Sequence, residues 1–334
     1  METLIRTRFT ERFGVRHPIL AAPMALISGG RLARAVTAAG ALGLVGGGYA
    51  GILGGEPDLE AELRLAGNGR FGVGFITWAL AQAPERLEAA LAHGPACVFL
   101  SFGDPRPFAG TIARAGVRLI CQVQSLRQID EALEAGAAVI VAQGSEAGGH
   151  GARRSTLPFV PEAADHLARR SPDTLLLAAG GIADGRGLAA ALMLGADGVV
   201  VGTRFWSSAE ALTPGAATDL AAMSTGDDTV RTTAIDALRG VPWPADFSFR
   251  MIQNDLTRAW AGREAEAAAA FGSLKADYDA ARARGDLAIA AAVAGEAIGL
   301  IRDRPPVGEI VEAMIREAAQ RLSGAASRWL VPLP

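Results

Sequence analysis

The stretch TLLLAAGGIADGRGLAAALMLGADGVVVGT, residues 174–203, decides the fold. It opens with an apolar run, breaks at two glycines and continues as an alanine- and leucine-rich segment that Asp184 can cap and Gly195 can end. A second apolar run follows and ends at Gly202-Thr203. Both runs are too short for helices and almost wholly apolar, as strands of a parallel sheet covered on both faces must be. The reading is strand, helix, strand.

The same grammar repeats toward the N-terminus. Apolar runs at 17–22, 42–45, 71–76, 96–101, 117–123 and 137–142 join 174–179 and 197–201 as strands. Amphipathic segments at 31–39, 59–66, 84–92, 107–115, 125–135, 161–168 and 187–194 lie between them as helices. Eight is the number of strands that closes a (β/α)8 TIM barrel. A doubly wound open sheet is the structural rival, but no G-x-G-x-x-G follows the first strand. The expected fold class is therefore α/β, a (β/α)8 TIM barrel with an added C-terminal helical subdomain.

Glycine usage marks where the pattern stops. Of 41 glycines, 31 lie in residues 1–202 and 10 in residues 203–334. Beyond Gly202 the sequence suggests helices at 257–271, 274–283, 286–301 and 308–323 and no strands, with Trp243 and Phe247–Phe249 on a loop. The expected organisation is a barrel core at 1–205, a helical subdomain packed on it at 206–305, and a C-terminal helix at 306–334 returning to the barrel.

Composition narrows the function classes. A chain of 334 residues with 50% hydrophobic residues can bury a core without staples. A net charge of −3 gives no basic footprint, so no nucleic-acid partner is expected. Two cysteines, Cys97 and Cys121, have neither metal-ligand spacing nor a paired histidine, and read as buried core thiols in a reducing compartment. No apolar run approaches a membrane span, and the charged opening, residues 1–16, lacks the apolar core of a signal peptide. The expectation is a cytoplasmic protein, monomer or homodimer, with no bound metal and no membrane partner.

In a barrel the chemistry sits where strands end. After the strand ending at Ala142 comes Gln143-Gly144-Ser145-Glu146-Ala147-Gly148-Gly149-His150-Gly151, in which four glycines let backbone approach a planar ligand and His150 offers an acid or base near neutral pH. Gly180-Gly181 and Gly202-Thr203 end the next two strands, where barrels bind phosphate with bare backbone N–H groups. Ala22-Pro23-Met24 ends the first strand and offers a polarizable surface to a flat ring. Gln122 lies on the opposite face from its apolar strand neighbours and needs a polar partner. His17, His93 and His166 read as structural or solvated, and Arg153-Arg154 as a solvated pair that would otherwise attract an anionic substrate.

At the His150 loop the chain resembles the nitronate monooxygenase family, also called 2-nitropropane dioxygenases, FMN enzymes on a TIM barrel. The resemblance runs through Arg8-Phe9-Thr10-Glu11, His17-Pro18-Ile19, Ala22-Pro23-Met24, Gly72-Val73, Gln143, Glu146-Ala147-Gly148-Gly149-His150, the segment 179–186, and Gly202-Thr203-Arg204-Phe205. It implies FMN as cofactor. Ala22, Pro23 and Met24 would line the flavin ring, Gln122, Gln143, Gly148 and Gly149 would contact the ring or ribityl chain, and Gly180, Gly181, Gly202 and Thr203 would hold the phosphate. His150 would be the catalytic acid/base. Family members often carry Asn where this chain has Gly74, so a contact there would be backbone or water. The implied reaction is oxidation of an alkyl nitronate, such as propionate 3-nitronate, by O2 to a carbonyl compound and nitrite. Related NAD(P)H-dependent flavin reductases acting on quinones or enoyl thioesters are the alternative, and a non-redox phosphate-binding barrel is the third reading.

Overall fold

The computed structural model describes residues 4–53 and 55–330. Residues 1–3 of the charged opening and 331–334 of the C-terminal segment lie outside the described residues. In chain order the strands are β1 (Ile19–Ala21), β2 (Gly43–Gly46), β3 (Phe71–Ile76), β4 (Cys97–Ser101), β5 (Arg118–Val123), β6 (Val139–Gln143), β7 (Gly149–Gly151), β8 (Leu175–Ala179), β9 (Gly198–Val201), β10 (Thr229–Thr232) and β11 (Ser248–Ile252).

Eight of them form one parallel sheet in the order β1-β9-β8-β6-β5-β4-β3-β2. A parallel bridge between Leu20 and Leu42 joins its two edges. The sheet is thus rolled into a (β/α)8 barrel, and each apolar run read from the sequence supplies one stave. The reason is burial: β1, β3, β4, β6, β8 and β9 carry no exposed residue, since the barrel interior takes one face and the helices take the other. Phe99, Ile120, Val139 and Leu177 pack inside with Phe9 and Phe13, which stopper the bottom from the helix Arg8–Phe13. Arg8 clamps that helix to Asp197, one residue ahead of β9, at 2.8 Å.

Helix punctuation follows the sequence. Ser125 caps the helix Leu126–Glu134 through the Gln128 N–H, and Asp184 caps Gly185–Met193 through two backbone N–H groups. The helix read at 161–168 begins earlier and spans Thr156–Arg170. The C-terminal helix Val307–Trp329 packs against the helices Gly185–Met193 and Gly30–Ala38. At Gly185 the two helices are so close that a Cβ would lie 2.4 Å from the Ala318 nitrogen.

Beyond Gly202 the expectation of helices alone is wrong. β10 and β11 pair antiparallel, and β11 continues onto β7, giving a second, three-stranded sheet. Phe249, read as loop, lies in β11 opposite His150. The segment 286–301, read as a helix from its alanines, contains only a 3-10 turn at Glu296–Leu300. Its backbone bonds go elsewhere: Ala292 accepts from the Ile252 N–H, and the Glu296 N–H donates to Glu146. The helix read at 257–271 is split into Asp255–Trp260 and Glu264–Ala269, and the next one runs over Phe271–Arg284.

Candidate active site

A cavity of about 270 Å³ opens at the C-terminal ends of the barrel strands, between the barrel and the second sheet. Ala22, Pro23 and Met24 line it beyond β1, Gly74 from β3, Gln122 from β5 and Gln143 from the end of β6. Gly148, Gly149 and His150 form one wall, and Gly180, Gly181, Gly202 and Thr203 form another. Every site residue read from the sequence therefore borders one cavity.

The turn beyond β1 is built for this. Ser28 Oγ donates to the Ala22 carbonyl at 2.8 Å and accepts from the Met24 N–H at 3.1 Å, which fixes Pro23 and Met24 at the rim. Gly74 serves that turn, because a Cβ there would lie 2.3 Å from Pro23. Gln143 accepts a hydrogen bond from Gln124 at 2.9 Å, so its own amide N–H groups stay available to the cavity.

The glycines have different physical grounds. Gly180 and Gly181 adopt φ of +102° and +74°, a left-handed backbone that side chains disfavour. Gly148 is glycine because a Cβ would press within 2.6 Å of backbone at Ala294 and Gly295. Gly202 differs from both: its φ of −105° lies outside the left-handed region, and a Cβ would meet nothing nearer than Ala22 at 3.6 Å. The neighbouring Thr203 hydroxyl accepts from the Gly295 N–H at 3.0 Å and keeps its own proton to donate.

His150 is held on β7 by pairing with β11, so the glycine-rich segment is not a free loop. Its Nε2 lies 3.0 Å from both carboxylate oxygens of Asp236, and both side chains are buried. Burial pushes His150 down to about 4, the Asp236 carboxylate pulls the other way, and Arg239 and Arg231 push it further down. The imidazole is therefore neutral near pH 7 and able to accept a proton. Trp243 stacks on it, with Phe102 and Phe249 also against the ring.

Backbone strain collects at the same rim. Among the described residues the non-glycine positions with positive φ are Leu26, Ala50 and Phe102. Leu26 and Phe102 line the cavity, and Ala50 follows Tyr49, which also lines it. At φ +63° Phe102 turns its ring edge-on to Trp243 and Phe247, both centroids 5.1 Å away.

With that geometry in view, similarity to known proteins becomes informative. A model of the family described as nitronate monooxygenase matches residues 6–65 and 73–317. The chain belongs to the nitronate monooxygenase family. It is 37% identical over 321 residues to nitronate monooxygenase npaC of Metarhizium robertsii, covering 85% of this chain and 86% of that one. It is 33% identical to the nitronate monooxygenase of Neurospora crassa, covering 91% and 89%. Among solved structures it resembles FabK from Thermotoga maritima, with a TM-score of 0.79, 28% identity and coverage of 97% and 99%. It also resembles the nitroalkane oxidase of Streptomyces ansochromogenes, with a TM-score of 0.77, 25% identity and coverage of 96% and 100%. Membership makes the protein a flavin-dependent oxidoreductase on a TIM barrel and sets aside the non-redox reading.

Sequence reading missed the partners of His150. Asp236, Arg239 and Trp243 lie within the segment Asp236-Ala-Leu-Arg-Gly-Val-Pro-Trp243, where two charges three apart in an apolar helix share a face. That charge pair was the available signal. Arg153 and Arg154 do not border the cavity: Arg153 is exposed, and Arg154 pairs with Glu162 and covers the Phe159 ring. The arginines that do border it are Arg239 and Arg282. Burial raises the thiols of Cys97 and Cys121 to about 12, as suits inert core residues. Among the described residues no acidic, histidine or cysteine group could hold a metal ion, and no helix is long and apolar enough to cross a membrane.

Proposed function

We propose that this protein is an FMN-dependent nitronate monooxygenase, oxidising alkyl nitronates with O2 to a carbonyl compound and nitrite. The observation that carries the reading is the neutral, buried His150 in the same cavity as the glycine wall of Gly180, Gly181 and Gly202. FMN fits that wall on chemical grounds. Gly202 keeps a space that packing does not require, and Thr203 retains a hydroxyl proton for a phosphate oxygen. Ala22, Pro23 and Met24 would flank the flavin ring, while Gln122, Gln143, Gly148, Gly149 and the backbone at Gly74 would border the ring and ribityl chain. FMN bound there supplies the electron acceptor between nitronate and O2.

The residues of the chain do the rest. His150 accepts a carbon-bound proton from a neutral nitroalkane or faces the preformed anion. Trp243, Phe102 and Phe249 keep water from it. Arg239 lies in the cavity wall against the Tyr49 ring and supports a substrate with a second negative charge, such as propionate 3-nitronate. We place the enzyme in the cytoplasm.

One observation favours a second reading, an NAD(P)H-dependent flavin reductase acting on quinones or enoyl thioesters: the likeness to FabK over nearly the whole chain. Anaerobic mixing separates the two. Bleaching of bound flavin by propionate 3-nitronate, negligible bleaching by NADH or NADPH, and nitrite release in air are expected. Rapid bleaching by a nicotinamide with none by nitronate would reject the monooxygenase.

A further inference from the structure

The second sheet carries more than His150. β7 holds His150, and the short helix Ala234–Arg239, directly after β10 of the same sheet, holds Asp236. The two side chains meet across 86 residues of sequence with exposures of 3% and 7%, so each is the other's substitute for water. A carboxylate offers only lone pairs, so the imidazole nitrogen facing it, Nε2, must carry the proton. A neutral imidazole has one such proton. Nδ1 is then the lone pair, and it makes no hydrogen bond with any of the described residues. The ring cannot readily turn over to exchange the two nitrogens, because Trp243 lies flat on one face and Phe249 packs against it at a tilt.

We propose that Asp236 is a positioning residue that commits His150 to the Nε2–H tautomer, leaving Nδ1 as the base for a neutral nitroalkane. The step balances without a co-reactant. The substrate C–H bond breaks, its electron pair stays on the molecule as the nitronate, and the proton forms an N–H bond at Nδ1. The Asp236 side chain, 3.0 Å from Nε2, faces the imidazolium that results. Nothing is oxidised in this step. Preformed nitronates already lack that proton, so their turnover does not need the tautomer. The inference rests on the nitronate reading of the site only for its kinetic arm.

Asp236→Asn is the test, since Asn keeps size and polarity but can donate to Nε2 and drive the proton to Nδ1. Long-range proton–nitrogen NMR of histidine-labelled protein, with His150 assigned by its loss in His150→Asn, reads the tautomer directly. Nε2–H in the parent protein and Nδ1–H in Asp236→Asn are expected. Turnover of neutral nitroethane should fall about 100-fold or more, while propionate 3-nitronate turnover stays within about threefold. A parent protein with Nδ1–H, or a variant that keeps both its tautomer and its nitroethane rate, would overturn the proposal. If Asp236→Asn fails to fold, the tautomer of the parent protein decides alone. A parent enzyme inactive on nitronates would defeat the functional reading, and the NMR result would still judge Asp236.

Discussion

The indole of Trp243 lies on the imidazole of His150 with ring centroids 3.3 Å apart and planes inclined by 11°. This stack seals one face of the base from water. Desolvation is the largest cause of the low His150 value, about 4, so the indole helps set it.

Removing the indole should therefore move the base. In Trp243→Ala water reaches the ring and the protonated form becomes easier to make. The acidic limb of kcat/KM for neutral nitroethane, expected near pH 4 in the parent enzyme, should rise by at least one pH unit toward the ordinary 6.5. Because a base works in its unprotonated form, the variant should lose activity between pH 6 and 5 where the parent does not. An acidic limb that stays in place would mean the remaining aromatic rings suffice.

The same depression links stability to pH. His150 takes up its proton near 6.5 in the unfolded chain but only near 4 in the folded one. Above about 6.5 both states are neutral and the residue contributes no pH dependence. Between about 6.5 and 4 the unfolded chain binds more protons, so stability falls as the pH is lowered. At pH 4.5 the loss amounts to about 2–3 kcal/mol. Urea unfolding of parent and His150→Asn at pH 7.5 and 4.5 measures it, since the variant lacks this loss. Parallel losses in both proteins would count against a neutral buried His150.

The barrel was legible because its physics is local. A strand such as Val139–Gln143, buried along its whole length, must be apolar at every position, and a run of that kind between glycines is visible in one dimension. The glycine ends of those strands led to the cavity for the same reason. The second sheet left no such trace. Thr229–Thr232 and Ser248–Ile252 are short, half-buried and interrupted by Arg231 and Arg250, which point to carbonyls of the His150 segment. The 286–301 segment misled because alanine favours helix, yet its N–H groups are spent on other elements, such as Gly295 on Thr203. Asp236 became a site residue only through that tertiary arrangement.

Two glycines in opposite walls of the cavity should respond differently to one added carbon. Gly202→Ala places a Cβ at ordinary contact distance, 3.6 Å from Ala22, so the protein should fold with a melting temperature within a few degrees of the parent. Its FMN affinity should nevertheless drop about tenfold or more, about 1.4 kcal/mol, through crowding of the phosphate. Gly148→Ala meets the Ala294–Gly295 backbone at 2.6 Å and should lower the melting temperature in the absence of flavin. Calorimetry of the apoproteins and fluorescence titration with FMN separate the two. Unchanged affinity in Gly202→Ala would remove Gly202 from the phosphate site.

Arg231 is the residue on which the His150 wall hangs. Its guanidinium donates to the carbonyls of Ser145 at 2.9 Å, Ala147 at 3.0 Å and Gly151 at 3.1 Å, on both sides of His150. Burial lowers it only to about 10, so it is charged at neutral pH and binds those carbonyls as a cation. Arg231→Met fills similar volume but leaves the carbonyls without that donor, at a cost of about 2–4 kcal/mol. The loss should be local: amide exchange at Gly149–Gly151 should quicken and nitroethane turnover should fall. FMN affinity, carried by the opposite wall at Gly180, Gly181 and Gly202, should change far less. Exchange followed by mass spectrometry checks the first point and flavin titration the last. If Gly149–Gly151 stay protected, the three residue pairs between β7 and β11 hold His150 without the arginine, and its cationic field on the imidazole becomes its main contribution.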